Sequence, residues 1–487
     1  MNHTDTPLII EKTKTVDNYL DVPDLDVPDL SFDDFIDVEM IRDGSINLPS
    51  IAEPGVVRHF INLSIKNHHI DKDFYPLGSC TMKYNPKIND KVASLDNFTQ
   101  IHPDQHESTI QGYLKILYDL ENMLNSITGM HRTTLQPAAG SQGELVGLLI
   151  MQKYHKLNKN KNKKFIIVPE TAHGTNPASV ILAGFEVLEV GTSNFGTIDM
   201  EDLRSKLTDE VAGIMLTQPN TLGVFEKDIK EISRLIHGVD GLLYMDGANL
   251  NAMVGLCKPS DMGFDIIHMN LHKTFSTPHG GGGPGAGPIG VTKKLKDFLP
   301  SPIINKNANN SYYLDYSSHH SIGKIHSFYG NVGVLLRAYC YIKSYGDNLK
   351  DISKNAIINA NYIKKNLSEY YNIPFYDGTM HEFVISALNQ KKRGLKALDI
   401  AKVLLDYGFH APTIYFPINV QEAIMIEPTE TESKEKLDEF IKFMIYIDQN
   451  LDSKLEDFLT CPKNTPVKRV NEVKANRDLD LSWNNEI

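Results

Sequence analysis

Between about residues 110 and 330, short apolar runs alternate with stretches of helical period. The runs FIIVP (165–169), EVLEV (186–190), GIMLT (213–217), GLLYM (241–245) and DIIHM (265–269) have the length and content of strands. Residues 144–154 (ELVGLLIMQKY) and 227–239 (KDIKEISRLIHGV) carry apolar positions three to four apart and predict helices, the second stopping near Gly238. PASVILAGF (177–185) predicts a shorter helix. Strands alternating with helices predict an α/β fold whose mainly parallel sheet is covered on both faces. In such folds ligands bind beyond the carboxyl ends of the strands, so the chemistry is sought there.

A second α/β pattern occupies residues 331 to about 460. It holds two long helical stretches, the strand-like EFVISAL (382–388) and AIMIE (423–427), and helices at 397–408 and 433–451. Residues 1–55 contain the tandem DVPDL-DVPDL (21–30), whose prolines favour an extended surface arm. The tail from Pro462 is polar and carries the single Trp483. The chain thus divides into an arm (1–55), a large α/β domain (56–330), a smaller C-terminal α/β domain (331–460) and a tail (461–487).

Composition narrows the function classes. The chain has 487 residues, 41 % hydrophobic and 23 % charged, enough for a sizeable core. Its formal net charge of −12 argues against non-specific nucleic-acid binding, which needs a basic footprint. No apolar run approaches the roughly 20 residues of a membrane span. The start has no basic n-region or apolar h-region, so a cytoplasmic location is expected. Cys80, Cys257, Cys340 and Cys461 share no CxxC spacing, which gives neither a zinc knuckle nor a disulfide framework. No metal site is expected.

Three strand ends carry unusual residues. FIIVP leads into Glu170-Thr171-Ala172-His173-Gly174-Thr175-Asn176-Pro177, with Asn176 a candidate helix N-cap and His173 on the turn. GLLYM leads into Asp246, costly to bury unless it meets a cation. DIIHM leads into Asn270-Leu271-His272-Lys273, and desolvation favours a lysine's neutral, nucleophilic form. Pyridoxal phosphate (PLP) uses all three: a lysine for a Schiff base, an acid at the ring nitrogen and a flat group over the ring. Gly140, Ser141 and Gln142 open the helix at 144–154, where free amides suit a phosphate. The run Gly280–Gly287 lacks the GK[ST] of a P-loop and leads into strand-like PIGVT, so it fits a close backbone approach rather than a nucleotide loop.

With these residues in view, NLHKTFSTPHGGGGPGAGPIGV (270–291) resembles the lysine segment of the glycine dehydrogenase (decarboxylating) family, the P-proteins of glycine cleavage. So do YPLGSCTMKYNPK (75–87), QPAAGSQGE (136–144), TAHGTNPAS (171–179), QPNTLGVFE (218–226) and MDGANLNAMVG (245–255). MHEFVIS (380–386) and IMIEPTETES (424–433) extend the resemblance across nearly the whole chain. A chain of this length with the lysine resembles the catalytic subunit of the two-chain form. The resemblance implies PLP fold type I, PLP held covalently by Lys273, and a heterotetramer of two catalytic and two partner chains. It implies glycine decarboxylation with transfer of the aminomethyl group to the lipoyl arm of an H-protein. It makes Lys273, His173 and His272 catalytic candidates, with His279 beside them. Cofactor contacts are then Asp246, His173, Gly140, Ser141, Gln142, Asn220 and Asn249, and Ser79, Cys80 and Thr81 lie on the substrate side. For Asn220 a purely structural turn is the rival reading. Lys83 and Lys87 are candidates for docking an acidic partner.

Three rivals stand beside this reading. Another fold type I PLP enzyme, an aminotransferase or amino-acid decarboxylase, would use the same lysine and acid. A non-catalytic scaffold subunit would lack the lysine. A nucleotide-binding module would need the phosphate loop that the glycine run does not provide.

Overall fold

In the computed structural model, residues 6–12, 26–28, 30–44, 48–158, 160, 162–280 and 285–479 are described. Seven strands build the main sheet: β1 (Arg132–Thr134), β2 (Phe165–Pro169), β3 (Glu186–Val190), β4 (Val211–Thr217), β5 (Leu242–Gly247), β6 (Ile266–Met269) and β7 (Ile289–Val291). Their order is β1-β7-β6-β5-β4-β2-β3, with only β7 running against its neighbours. The five runs read as strands from the sequence are five consecutive members, β2 to β6. β1 and β7 are only three residues each, too short for a periodicity signal.

Residues alternate between the two faces of this sheet and are buried on both. Ile167, Ile214, Leu243, Met245 and Ile267 join one apolar cluster, and Ile166, Val168, Met215, Tyr244 and Ile266 join another. A sheet apolar on both faces needs cover on each, which explains the near-continuous hydrophobic runs. Helix Gly140–Leu157 packs its Val146, Ile150 and Met151 into the second cluster. Helix Ile229–Gly238 turns Ile229, Ile232 and Ile236 into the first. Burying such side chains contributes roughly 1.5–3 kcal/mol each.

A three-stranded antiparallel sheet has β12 (Ala423–Ile426) between β10 (Phe383–Ser386) and β11 (Thr413–Ile414). A hairpin pairs β8 (Ile303–Lys306) with β9 (Tyr312–Asp315). The smaller sheet has its own core, with Phe383, Ile385, Ile424, Ile426, Leu437 and Phe440 fully buried or nearly so.

Ile70–Cys461 form one compact unit, and Met1–His69 with Pro462–Ile487 form another. In the latter, the described part of the arm carries three short 3-10 turns and the helix Glu53–Ser64. Residues 21–25 and 29 of the tandem, Gly281–Pro284 and Trp483 lie outside the described residues. Among the described residues no helix is long and apolar enough to cross a membrane.

Candidate active site

The loops leaving the carboxyl ends of β2, β4, β5 and β6 meet the amino end of helix Gly140–Leu157 around a cavity of about 260 Å³. Lys273, Asp246, His173, His272, Gly140, Ser141 and Ser79 all line it. Gln142, Cys80, Thr81, Asn220 and Asn249 do not.

Asp246, the last residue but one of β5, is almost wholly buried. Its Oδ1 lies 3.2 Å from His268 Nε2 and accepts the Ala248 amide at 2.9 Å. Its Oδ2 accepts from Asn176 Nδ2 at 3.0 Å. Burial pushes the carboxyl up, but His268, Asn176, the Ala248 amide and Lys273 outweigh it and leave the pKa below the ordinary carboxylate value. The cost of burying the acid is met by this ring of donors. His268 is held in turn by Tyr244, whose hydroxyl is 2.9 Å from Nδ1. Asn176 is not the N-cap expected from sequence. Gly174 caps the helix Thr175–Leu182, and Asn176 sits inside its first turn with its amide on Asp246.

Lys273 follows β6 by four residues and is half-buried. Its Nζ donates to the Ser79 carbonyl at 2.7 Å. His272 beside it has a buried Nδ1 without a hydrogen-bond partner. Burial first, then His279 and Lys273, push its pKa down to about 3. His279 is pushed down to about 4, again chiefly by burial. The two rings meet edge to face at 4.9 Å, and the depressed pKa values favour the neutral imidazole in both.

His173 is exposed at the cavity rim. Its Nδ1 lies 2.9 Å from Thr175 Oγ1, which donates to Glu144 Oε1 at 2.8 Å. The imidazole also meets the Phe416 ring edge to face at 5.7 Å.

Helix Gly140–Leu157 starts without a side-chain cap, so the amides of its first turn point free of the helix. The glycines there are needed for close approach. A Cβ on Gly287 would lie 2.1 Å from the Ala139 carbonyl oxygen, and one on Gly140 2.4 Å from Asn270 Oδ1. The described end of the glycine run therefore packs on the helix start. Gln142 turns back to accept the Ala138 amide at 2.6 Å.

Asn220 is a turn residue here. Its Oδ1 accepts the Leu222 and Val224 amides and its Nδ2 donates to the Gly196 carbonyl. Asn249 Nδ2 is shared among the Pro219 and Asn220 carbonyls and Glu382. Cys80 is a poor nucleophile, since burial raises its thiol pKa more than Lys273 lowers it. Lys83 is not a docking residue. Its side chain is fully buried and donates to Glu430, Asn251, Tyr341 and the Thr274 carbonyl. Lys87 is exposed and paired with Asp71.

Sequence reasoning missed His268, Glu144, Asn270, Glu382 and Glu427. His268 lay inside a run read only as apolar. Glu382 and Glu427 were visible as acids bordering apolar strands, the same signal that drew attention to Asp246.

The residues fit PLP. An ionised buried acid, a lysine and an uncapped helix end converge on one cavity. Two further lining residues, Thr217 and Asn270, present buried oxygens (Oγ1 and Oδ1) that no protein group satisfies.

Residues 352–469 match the family model "Glycine dehydrogenase, C-terminal domain". The chain is 52 % identical over 477 residues to the probable glycine dehydrogenase (decarboxylating) subunit 2 of Caldanaerobacter subterraneus subsp. tengcongensis, covering 98 % of each chain. It is 51 % identical to the subunit 2 relative of Bacillus licheniformis, again covering 98 % of each. Among solved structures, an inhibitor-bound glycine decarboxylase (P-protein) of the glycine cleavage system superposes with a TM-score of 0.71 at 17 % identity, covering 86 % of this chain and 95 % of that one. A Lactobacillus brevis glutamate decarboxylase superposes at 0.64 and 13 % identity, covering 86 % and 97 %. These superpositions bear on the fold, which matches PLP fold type I.

Proposed function

The chain belongs to the family of glycine dehydrogenase (decarboxylating) subunit 2, the PLP-dependent enzyme of glycine cleavage, and on that premise we propose how its own residues carry the reaction. Lys273 anchors PLP covalently through Nζ. Asp246 keeps the proton on the ring nitrogen, Ser141 with the amides of Gly140 and Ser141 holds the phosphate, and His173 covers the ring. Ser79, Cys80 and Thr81 border the glycine side. The convergence of Lys273, Asp246 and the uncapped helix end on one cavity carries this reading.

Bound PLP supplies a protonated ring that takes up the electron pair left behind when the glycine carboxylate departs as CO2. The chain's part is electrostatic and positional. Asp246 stays ionised because His268, Asn176 and the Ala248 amide favour its charged form. Thr175, itself held by Glu144, fixes the His173 ring by its Nδ1. Neutral His272 and His279 line the lysine segment without adding charge that would compete with the ring. Lys273 is the residue that would hold the cofactor, and its Nζ, when free, would be placed to move a proton.

In this reading the aminomethyl group passes to one sulfur of the oxidised lipoyl arm of an H-protein, and the other sulfur is reduced. The working assembly is a heterotetramer of two such chains and two partner subunits, in accord with the relatives' designation as subunit 2. Residues 56–330 carry the cofactor and residues 331–460 form the smaller domain. No disulfide links Cys80, Cys257, Cys340 or Cys461, which suits a reducing, cytoplasmic setting.

Exchange of labelled CO2 into glycine tests the assignment. The protein with its partner chain should catalyse exchange, and lipoylated H-protein should stimulate it. Exchange into another amino acid, or transamination of glycine, would move the assignment to a different fold type I enzyme.

A further inference from the structure

Behind the Ser79 side of the cavity lie three ionisable residues without any exposed surface: His381, Glu382 and Glu427. Strand pairing brings the acids together. Phe383 pairs with Ile426 across β10 and β12, so Glu382 and Glu427 oppose each other one step beyond the ladder. Neither acid meets an arginine. Each accepts a backbone amide of one short turn. Glu382 Oε2 accepts the Ser79 amide at 2.7 Å, and its Oε1 accepts Asn249 Nδ2 at 3.0 Å. Glu427 Oε2 accepts the Thr81 amide at 2.8 Å, and its Oε1 accepts the Thr81 hydroxyl at 2.6 Å.

That turn is strained. Ser79 has φ +65° and Thr81 φ +50°, left-handed values that cost a residue with a side chain roughly 1–2 kcal/mol. Gly78 before it has no room for a side chain, because a Cβ would lie 2.1 Å from Met425 Cγ. The strained Ser79 carbonyl is what receives Lys273 Nζ. Ser79 is therefore held from both sides, its N–H by Glu382 and its C=O by Lys273.

We propose that Glu382 and Glu427 are positioning residues for Lys273: they hold the Ser79–Thr81 turn so that the Ser79 carbonyl receives the lysine amine whenever it is not bonded to the cofactor. The inference rests on Lys273 being the anchor. The acids stabilise the state in which glycine has displaced the lysine, and leave the lysine-bonded state unaffected. Burial raises the pKa of both acids, Glu427 to about 7. The charged or titratable groups facing them are Lys273, Cys80, Glu430 and His381, the last pushed down to about 3 by burial and so neutral. A buried pair so costly to maintain, joined to the lysine through the Ser79–Thr81 turn, fits strain retained at a working site.

The test uses the full-length, PLP-loaded protein with its partner chain. Two quantities are read: the spectral change on adding glycine, and the fraction of PLP fixed on Lys273 by borohydride. Glu382→Gln must turn a donor towards either Ser79 or Asn249, and raises the apparent Kd for glycine about tenfold with fixation unchanged. Glu427→Gln stays within about threefold, because the Thr81 hydroxyl can reverse its bond. Ser79→Gly in the E382Q background, left-handed without penalty, lowers the glycine Kd relative to E382Q alone. Glu427→Ala strips Thr81 of both acceptors and is the second variant should E382Q not fold; it predicts the same tenfold rise. A wild-type glycine Kd in E382Q or E427A overturns the proposal, as does a loss of PLP fixation in step with glycine binding. Fixation that persists in Lys273→Ala contradicts the anchor reading itself, and the proposal with it.

Discussion

His268 Nε2 stands 3.2 Å from Asp246 Oδ1, and the two residues are register partners on adjacent parallel strands. The sheet itself sets the distance between the buried acid and its imidazole, so the acid is oriented before any ligand enters. Asp246→Asn keeps the shape but removes the charge. It should cut the CO2 exchange rate on the order of 10²-fold or more. His268→Phe, which removes one of several groups holding the acid, should cost less. Equal rates in wild type and D246N would remove Asp246 from the mechanism.

Buried Lys83 and Glu430 meet at 2.8 Å, with Lys83 also bonded to the carbonyl of Thr274, next to Lys273. Lys83→Met leaves Glu430 buried without its cation and should destabilise the protein by about 3–5 kcal/mol in denaturant unfolding. Replacing both, as Lys83→Met with Glu430→Leu, should recover most of that loss. A double variant as unstable as the single would show that Lys83 acts through Asn251, Tyr341 and Thr274 instead.

Much of this architecture was legible in the sequence for a physical reason. A strand buried on both faces must be apolar throughout, and β2 to β6 advertise themselves that way. Lys273, Asp246 and His173 were visible because a charged or titratable residue ending such a run demands an explanation. The opposite holds for Asn176 and Asn220. Asparagine caps helices, closes turns and orients acids equally well, and only the fold decides which. Lys83 looked like a surface lysine because nothing local signals that Glu430, distant in sequence, closes over it. Glu382 and Glu427 meet only through antiparallel pairing of β10 with β12, a register that neither strand encodes alone.

Glu427 gives a stability signature with a definite sign. Its folded pKa of about 7 lies above the ordinary 4.5, so the folded protein holds a proton that the unfolded chain releases between those values. The stability it contributes is full below about pH 4.5 and is lost as pH rises towards about 7. Relative to Glu427→Gln, the wild type should therefore lose stability across that window, at most about 1.4 kcal/mol per pH unit. Parallel pH profiles from paired denaturant titrations would contradict it.

Gly287 has no room for a methyl group, since its Cβ would lie 2.1 Å from one backbone atom of Ala139 and 2.6 Å from another. Neither can rotate away as a side chain can. Gly287→Ala should destabilise the protein by about 1–3 kcal/mol and displace the helix start that holds Ser141. PLP should then bind more weakly while pyridoxal, which lacks the phosphate, binds as before. A variant that lost both ligands equally would separate the helix start from phosphate binding.

The central claim is that Lys273 is the covalent anchor, and one measurement addresses it most directly. Wild type and Lys273→Ala are loaded with PLP in the presence of the partner chain, their visible absorbance is recorded, and borohydride is added. The wild type should show the Schiff-base band, lose it on reduction, and retain PLP on the peptide carrying Lys273. The K273A protein should retain none. A wild type without the band, or a K273A protein that is still fixed, would contradict the account.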